Sequence, residues 1–409
     1  MSSDRIARIQ EALREEGLLG WLLFDFHGSN PIARSVLELS EGPTASKTTR
    51  RWFYLIPARG EPVKVVHRLE PHALDHLPGA ARIYLTWQEL DQTIAKTVGE
   101  LAAFVDRSAG EGAVIAMEYS PLARLPYVSR VDAGTIELVR IAGATVVSSG
   151  DLAQRFGGAL SPAAREDHKR TGVFVHGVIQ SALERARESV RSGGRLTEVA
   201  LQRWIQERLA GGGLVSSDPP TVAVNAHSGD PHFTPAPEHD LPIGRGDFLL
   251  IDAWAKAAHP GAVYADYTQV AFLGPSAPER HRDVFAAVRD ARDAAIAAVR
   301  GALGAGETIR GCDVDDAARA VIRDRGFAER FVHRTGHSIG MEVHANGVHL
   351  DNLETRDERR LMEGTLVSVE PGIYLDDFGV RSEVNLLIDG GEAVVTTEPI
   401  QRELPALLP

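Results

Sequence analysis

The stretch DFLLIDAW (247–254), followed by VYADYTQVAFLG (263–274), decides how the larger part of this chain folds. Both runs are aliphatic, aromatic and β-branched, and the AKAAHPG between them is turn-rich, so they read as an antiparallel hairpin. A side-chain period of two then places Tyr264, Asp266, Thr268 and Val270 on one strand face, so Asp266 projects from a face that could otherwise pack. Asp252 ends the apolar run FLLI. An unpaired carboxylate there costs several kcal/mol or takes up a proton, so some compensating cation is required.

The last third repeats the pattern. TLVSVEPGIYL (365–375) and VRSEVNLLI (380–388) read as two strands separated by a tight DDFG connection. Alternation puts Leu366, Ser368 and Glu370 on one face, and Arg381, Glu383 and Asn385 on one face of the next strand. Four acids in strands of one domain repel if they converge without a counter-ion, whereas two divalent cations balance four carboxylates. With one cysteine, Cys312, the chain has no internal disulfide and no thiolate cluster, so any metal uses nitrogen and oxygen ligands. Oxygen-rich ligation with an imidazole suits Mn2+, with Co2+, Fe2+ or Zn2+ as alternatives.

Histidines add to this. HRTGHSIGMEVHANG (333–347) holds His333, His337 and His344, with Gly336 and Gly340 allowing close backbone approach. Upstream, VNAHSGDPHFTP (224–235) contributes His227 and His232 in a Gly/Pro-rich loop. Each acid taken alone is more often a surface or salt-bridged residue, and a lone histidine is more often structural. The combination reverses that weighting.

Working outward, the 409 residues exceed one ordinary core and favour two domains. Ile6, Ile9 and Leu13 share a helix face over 4–16, and WLLF (21–24), WFYLIP (52–57), PVKVVH (62–67), AVIAM (113–117) and ATVV (144–147) read as strands around a helix at 88–105. Such alternation suggests a mostly parallel or mixed sheet. FGGALSPAAR (156–165) marks the boundary, where Ser161 can cap a helix whose first turn takes Pro162. Long helices follow at about 162–191 and 197–210, and a capping box of Ser276 and Glu279 signals another. The fold class is α/β (α+β), with domains 1–160 and 161–409.

A net charge of −12 with no Lys/Arg block makes nucleic acid a poor partner, so none is expected. The first residues lack a signal peptide's apolar core, and no segment holds the roughly 18 apolar residues of a membrane span, so a cytoplasmic protein is expected, with no membrane partner.

These motifs, LLIDAW, YADYTQVAF, HRTGHSIGMEVH, SVEPGIYL and GVRSEVN, resemble those of the pita-bread metallopeptidases: methionine aminopeptidase, aminopeptidase P, prolidase (Xaa-Pro dipeptidase) and the metal-free creatinase. The resemblance covers the whole chain, since 1–160 with its closing VDAGTIELVR (131–140) is similar to a creatinase-type N-terminal α/β domain. It implies a pita-bread catalytic domain with a curved antiparallel sheet flanked by helices. Motif by motif, it makes Asp252, Asp266, His337, Glu370 and Glu383 the ligands of two metal ions. It makes His232 and His344 substrate-facing, Glu370 also the proton acceptor, and Arg381 a residue that orients Glu383 or neutralises substrate charge. The implied reaction is hydrolysis of the Xaa-Pro bond in dipeptides, by a homodimer. The alternatives are an aminopeptidase P acting on longer peptides, a hydrolase of another C–N bond, and a catalytically silent binding protein. The chain departs from the family pattern at Gln269, at Trp254 and in the fourteen positions from Asp252 to Asp266.

Overall fold

The computed structural model describes residues 3–39, 48–102, 113–396 and 398–409. The chain divides into two compact units, Met1–Gly157 and Gly158–Pro409.

In the first unit, strands β1 (Gly20–Asp25), β2 (Trp52–Pro57), β3 (Val63–His67), β4 (Ala80–Tyr84), β5 (Ala113–Met117) and β6 (Ala144–Ser148) form a sheet ordered β4-β3-β2-β1-β5-β6. The sheet is mixed: β1–β2 and β2–β3 are antiparallel, and the other three pairings are parallel. Helices α1 (Ser3–Glu15), α2 (Pro31–Val36), α3 (Trp87–Ala102), α4 (Ala133–Ile141) and α5 (Gly150–Ala153) complete it. Residues 103–105 of the stretch read as helix lie outside the described residues. Alternation along β1 feeds two cores: Trp21 and Leu23 pack with Ile6, Ile9 and Leu13 of α1, while Leu22 and Phe24 pack with Leu90, Ile94 and Val98 of α3.

The second unit opens with α6 (Pro162–Ser192), whose first turn Ser161 caps by accepting from the Ala164 amide, and α7 (Glu198–Gly211), capped in the same way by Thr197. Strands β7 (Leu214–Val215), β8 (Thr221–Val224), β9 (Phe248–Ala257) and β10 (Ala265–Phe272) form one sheet, with β9 pairing antiparallel to the other three. Then come α8 (Glu279–Gly304), α9 (Gly311–Asp324), β11 (Leu366–Val369), β12 (Gly372–Tyr374), β13 (Gly379–Arg381), β14 (Val384–Asp389) and β15 (Glu392–Val395). One antiparallel sheet runs β11-β14-β15, and β12 pairs with β13. One core joins α6 and α7 to Leu249, Ile251 and Tyr267; another joins α8 and α9 to Leu250, Val270, Val367 and Val369. Asn385 links the two strand systems, since its side chain accepts from the Asp266 amide at 3.0 Å and donates to the Asp266 carbonyl at 2.6 Å. Among the described residues no helix is long and apolar enough to cross a membrane.

Two expectations change. Helix α8 starts at Glu279 with Pro278 at its N-cap and no side-chain cap, so the Ser276–Glu279 box does not form. Pro278 holds the preceding residue out of helical geometry, which leaves Ser276 too far upstream to cap. Each of the two strands read over 365–375 and 380–388 is also split, because Pro371 has no N–H to continue a ladder. The resulting gaps are where Glu370 and Glu383 sit.

A buried carboxylate gives the first unit a pH signature. Glu118, fully buried, accepts from Trp21 Nε1 at 2.6 Å, Asn30 Nδ2 at 2.8 Å and Ser149 Oγ at 3.1 Å. Burial outweighs those donors and pushes its carboxyl up to about 7, from an ordinary 4.5. The folded state therefore binds the extra proton, and its stabilisation is complete below the ordinary value and lost as pH rises through 7. From pH 5 to pH 8 the wild type should lose about 2–3 kcal/mol that Glu118→Gln does not lose. Urea unfolding followed by the fluorescence of buried Trp21 and Trp52 measures this, and parallel pH profiles would remove the assignment.

Candidate metal centre

The β9–β10 register sets Thr268 opposite Asp252 and Asp266 opposite Trp254, so all four side chains share one face of the hairpin. His337 arrives on a segment held by bridges from Gly336 to Leu350 and from Ser338 to Val367. A Cβ on Gly336 would lie 2.0 Å from the Ser368 carbonyl, so only glycine lets this segment approach β11. Ser368 then joins two site residues: its Oγ accepts from the His337 amide at 2.8 Å and donates to Glu370 Oε1 at 3.0 Å. The Glu370 amide donates to the Thr335 carbonyl at 2.8 Å, and the Glu383 amide reaches across to the Thr268 carbonyl at 3.3 Å.

These constraints bring the five expected ligand side chains together. One ligand atom from each of Asp266, His337 and Glu383 lies within 4.8 Å of the others. His337 Nε2 stands 3.6 Å from Asp266 Oδ2 and 3.3 Å from Glu370 Oε1. Its Nδ1 faces the Ser338 carbonyl at 3.2 Å, so Nδ1 carries the proton and the Nε2 lone pair points at the carboxylates. Glu383 Oε2 accepts from Thr268 Oγ1 at 2.8 Å. Arg381, expected to orient Glu383 or neutralise substrate charge, donates to Asp252 Oδ2 at 2.6 Å and to Thr268 Oγ1 at 3.1 Å, with Glu370 Oε2 at 4.0 Å.

A cavity of about 490 Å³ opens on this cluster, lined by all four acids, His337 and Arg381, and also by His232, His333, Arg334, His344 and Glu354. The His344 ring meets the His337 ring edge-on at 4.3 Å. His232 is exposed at the cavity wall. His227 turns away: its Nδ1 meets both oxygens of buried Glu198 at 3.0 Å and its ring stacks on Phe233.

Sequence reasoning missed a relay. Arg381 donates to the Tyr374 hydroxyl at 3.0 Å, and that hydroxyl lies 2.7 Å from His333 Nε2. His333 Nδ1 faces the Arg334 carbonyl at 2.7 Å, which fixes the direction: Arg381 to Tyr374, Tyr374 to His333 Nε2. Burial pushes His333 down to about 4, consistent with a neutral ring that accepts. The signal available was weak: a histidine four positions before His337 and a tyrosine four past Glu370.

The electrostatics say what is missing. Burial, reinforced by mutual repulsion, pushes Asp266 and Glu383 well above the usual carboxylate range, and burial against the Arg381 charge pushes Asp252 up to about 7. Burial also opposes ionised Glu370, yet the positive charges that His337 and His333 take up on protonation, with those of Arg381 and Arg334, hold it below its ordinary value. Asp252 Oδ1, Asp266 Oδ1 and Glu383 Oε1 are buried with no hydrogen-bond partner among the described residues. Three unpartnered oxygens beside a deprotonated imidazole nitrogen are a donor set that fits divalent cations.

The profile of metallopeptidase family M24 matches residues 173–390. The chain is 30% identical over 225 residues to a Xaa-Pro dipeptidase of Pyrococcus furiosus, covering 54% of this chain and 59% of that protein. It thus spans little more than half the length of that curated relative. Its fold is that of the dipeptidase PepE from Mycobacterium ulcerans, at a TM-score of 0.61 and 23% identity over 99% of this chain and 98% of that one. It is also that of an X-prolyl aminopeptidase from Caenorhabditis elegans, described as having a di-nuclear active site, at a TM-score of 0.59 and 15% identity over 98% of this chain and 62% of that one.

Acids shifted upward take up protons more readily in the cation-free protein, and filling the site displaces those they hold. Calorimetric Mn2+ titrations at pH 7 in two buffers of different ionisation enthalpy should give different heats, with the sign of net proton release. Affinity should rise with pH. Equal heats in both buffers would mean that the acids are already ionised.

Proposed function

The chain belongs to metallopeptidase family M24, and on that premise we propose that it hydrolyses the Xaa-Pro bond of dipeptides, using two divalent cations held by Asp252, Asp266, His337, Glu370 and Glu383. The observation that carries this reading is the convergence of four acids and one imidazole on one cavity, with three of the acids' oxygens unpartnered among the described residues. Manganese is the metal this donor set suits best, since hard carboxylate oxygens predominate and thiolate is absent. When bound, the cations would supply Lewis acidity, polarising the scissile carbonyl and easing deprotonation of water.

The protein side of the chemistry follows from position. Glu370 is ionised and takes the proton of the attacking water, with Ser368 donating to its Oε1 and fixing its orientation. It then returns that proton to the leaving proline nitrogen, which as a secondary amine-derived group needs protonation to depart. His344 and His232 stand at the wall where a substrate is reached, and donate to the oxygen that gains charge in the tetrahedral intermediate. Arg381 holds Asp252 at 2.6 Å and keeps its carboxylate facing the cluster. The cavity volume suits a small ligand such as a dipeptide. A homodimer belongs to the same proposal and rests on the family resemblance.

Two measurements test this. A ladder of Xaa-Pro against Xaa-Pro-Yaa peptides should be cleaved only at its first rung; preferential cleavage of the longer peptide assigns the chain as an aminopeptidase, and cleavage of neither rejects the peptidase reading. His344→Ala should lower kcat by about 10²–10³ while metal content, measured by elemental analysis, stays at the wild-type level. Lost metal would make His344 a ligand instead.

A further inference from the structure

Helix α9 does not line the cavity, yet one of its side chains is tied to two of the segments that do. Asp315 is fully buried. Its Oδ1 accepts from the Thr335 amide at 2.9 Å, and its Oδ2 accepts from the Asn352 amide at 2.9 Å and from Arg319 Nε at 2.6 Å. Arg319, one helical turn on, donates to the carbonyls of Phe331 at 3.2 Å and His333 at 2.5 Å, with its guanidinium 4.2 Å from the centre of the Phe331 ring.

Thr335 is the junction. Its N–H goes to Asp315 and its carbonyl receives the Glu370 amide, two residues before His337 in the same segment. The Asn352 peptide opens the turn in which Asp351 accepts from the Leu353, Glu354 and Thr355 amides and so places Glu354 at the cavity. The first turn of α9 is docked against the same region. The Gly311 and Cys312 amides donate to the carbonyls of Arg359 and Asp357, and a Cβ on Gly311 would lie 1.9 Å from the His349 carbonyl.

We propose that Asp315 is a positioning residue of the metal centre: it fixes the Thr335 peptide, and with it His337 and Glu370, and fixes the Asn352 turn, and with it Glu354. A carboxylate is needed because only an ionised acid can accept from two backbone amides and a guanidinium together. An asparagine there turns an NH2 group towards one of those donors. This inference rests on the reading of the cluster as a cation site, and it adds a residue that touches neither cation nor substrate.

The test compares Mn2+ affinity by calorimetry in the full-length wild type, Asp315→Asn and Asp25→Asn, with folding checked by circular dichroism at the same temperature. Asp25 is the control, since it is also fully buried and accepts two backbone amides, those of Gly28 at 3.0 Å and Asn30 at 2.8 Å, but lies in the first unit. Asp315→Asn should weaken Mn2+ binding about 10–100-fold and lower kcat more than it changes KM, whereas Asp25→Asn should bind Mn2+ like the wild type. A folded Asp315→Asn with wild-type Mn2+ affinity overturns the positioning role alone. A wild type that takes up no divalent cation overturns the underlying reading instead. Should Asp315→Asn not fold, Asp315→Glu carries the test: it keeps the charge but moves the oxygens by one methylene from the Thr335 and Asn352 amides, so weaker Mn2+ binding is expected and unchanged binding refutes the proposal.

Discussion

Like charges withdrawn from water within a few ångströms of one another are the condition on which this site depends. Asp252, Asp266, Glu370 and Glu383 share one cavity wall, and Arg381 donates to only one of them, Asp252. Protons could neutralise the remaining acids, but each adds an O–H that itself needs an acceptor, and it supplies no partner to an oxygen left bare; three such oxygens have no partner among the described residues. A multivalent cation answers both requirements at once, because it neutralises charge and fills several lone-pair directions. The surrounding hydrogen bonds fit this logic: Thr268, Ser368 and Arg381 each occupy one oxygen of an acid, on Glu383, Glu370 and Asp252.

The fold creates this condition by joining strands that do not belong to one continuous ladder. Asp252 and Asp266 come from regular hairpin positions, whereas Glu370 and Glu383 occupy interruptions between strands. An interruption frees backbone amides to bond elsewhere, and both are used in this way, Glu370 N on the Thr335 carbonyl and Glu383 N on the Thr268 carbonyl. Each irregular acid is thus anchored by its own peptide to the segment that carries another site residue.

Much of this was legible because acids in apolar strand runs violate the alternation that packing requires, and a violation repeated at Asp252, Asp266, Glu370 and Glu383 is informative. Helix starts at Ser161 and Thr197 were legible for the same local reason, a hydroxyl that accepts from the third amide onward. What escaped depends on which segments meet. Pro371 was visible, but the split it forces into β11 and β12 emerges only against the matching break before β14. The loop at 224–235 offered two histidines of equal standing, and only the tertiary position of Glu198 decides that His227 turns inward while His232 faces the cavity. The relay from Arg381 through Tyr374 to His333, and the grip of Asp315 on Thr335, link residues too distant in sequence for any periodicity to reveal.

The joint between the two strand systems has an implication of its own. Asn385 spans from β14 to the backbone of Asp266 with a single carboxamide, using its oxygen on one side and its nitrogen on the other. Glu383 sits two residues before this bridge, so the gap between two of the acids is gauged by a group of fixed length. Aspartate at that position could match only the amide side, and alanine neither. The spacing between these two acids is therefore written partly into a neutral residue outside the cavity lining, and it would shift there without any acid being replaced.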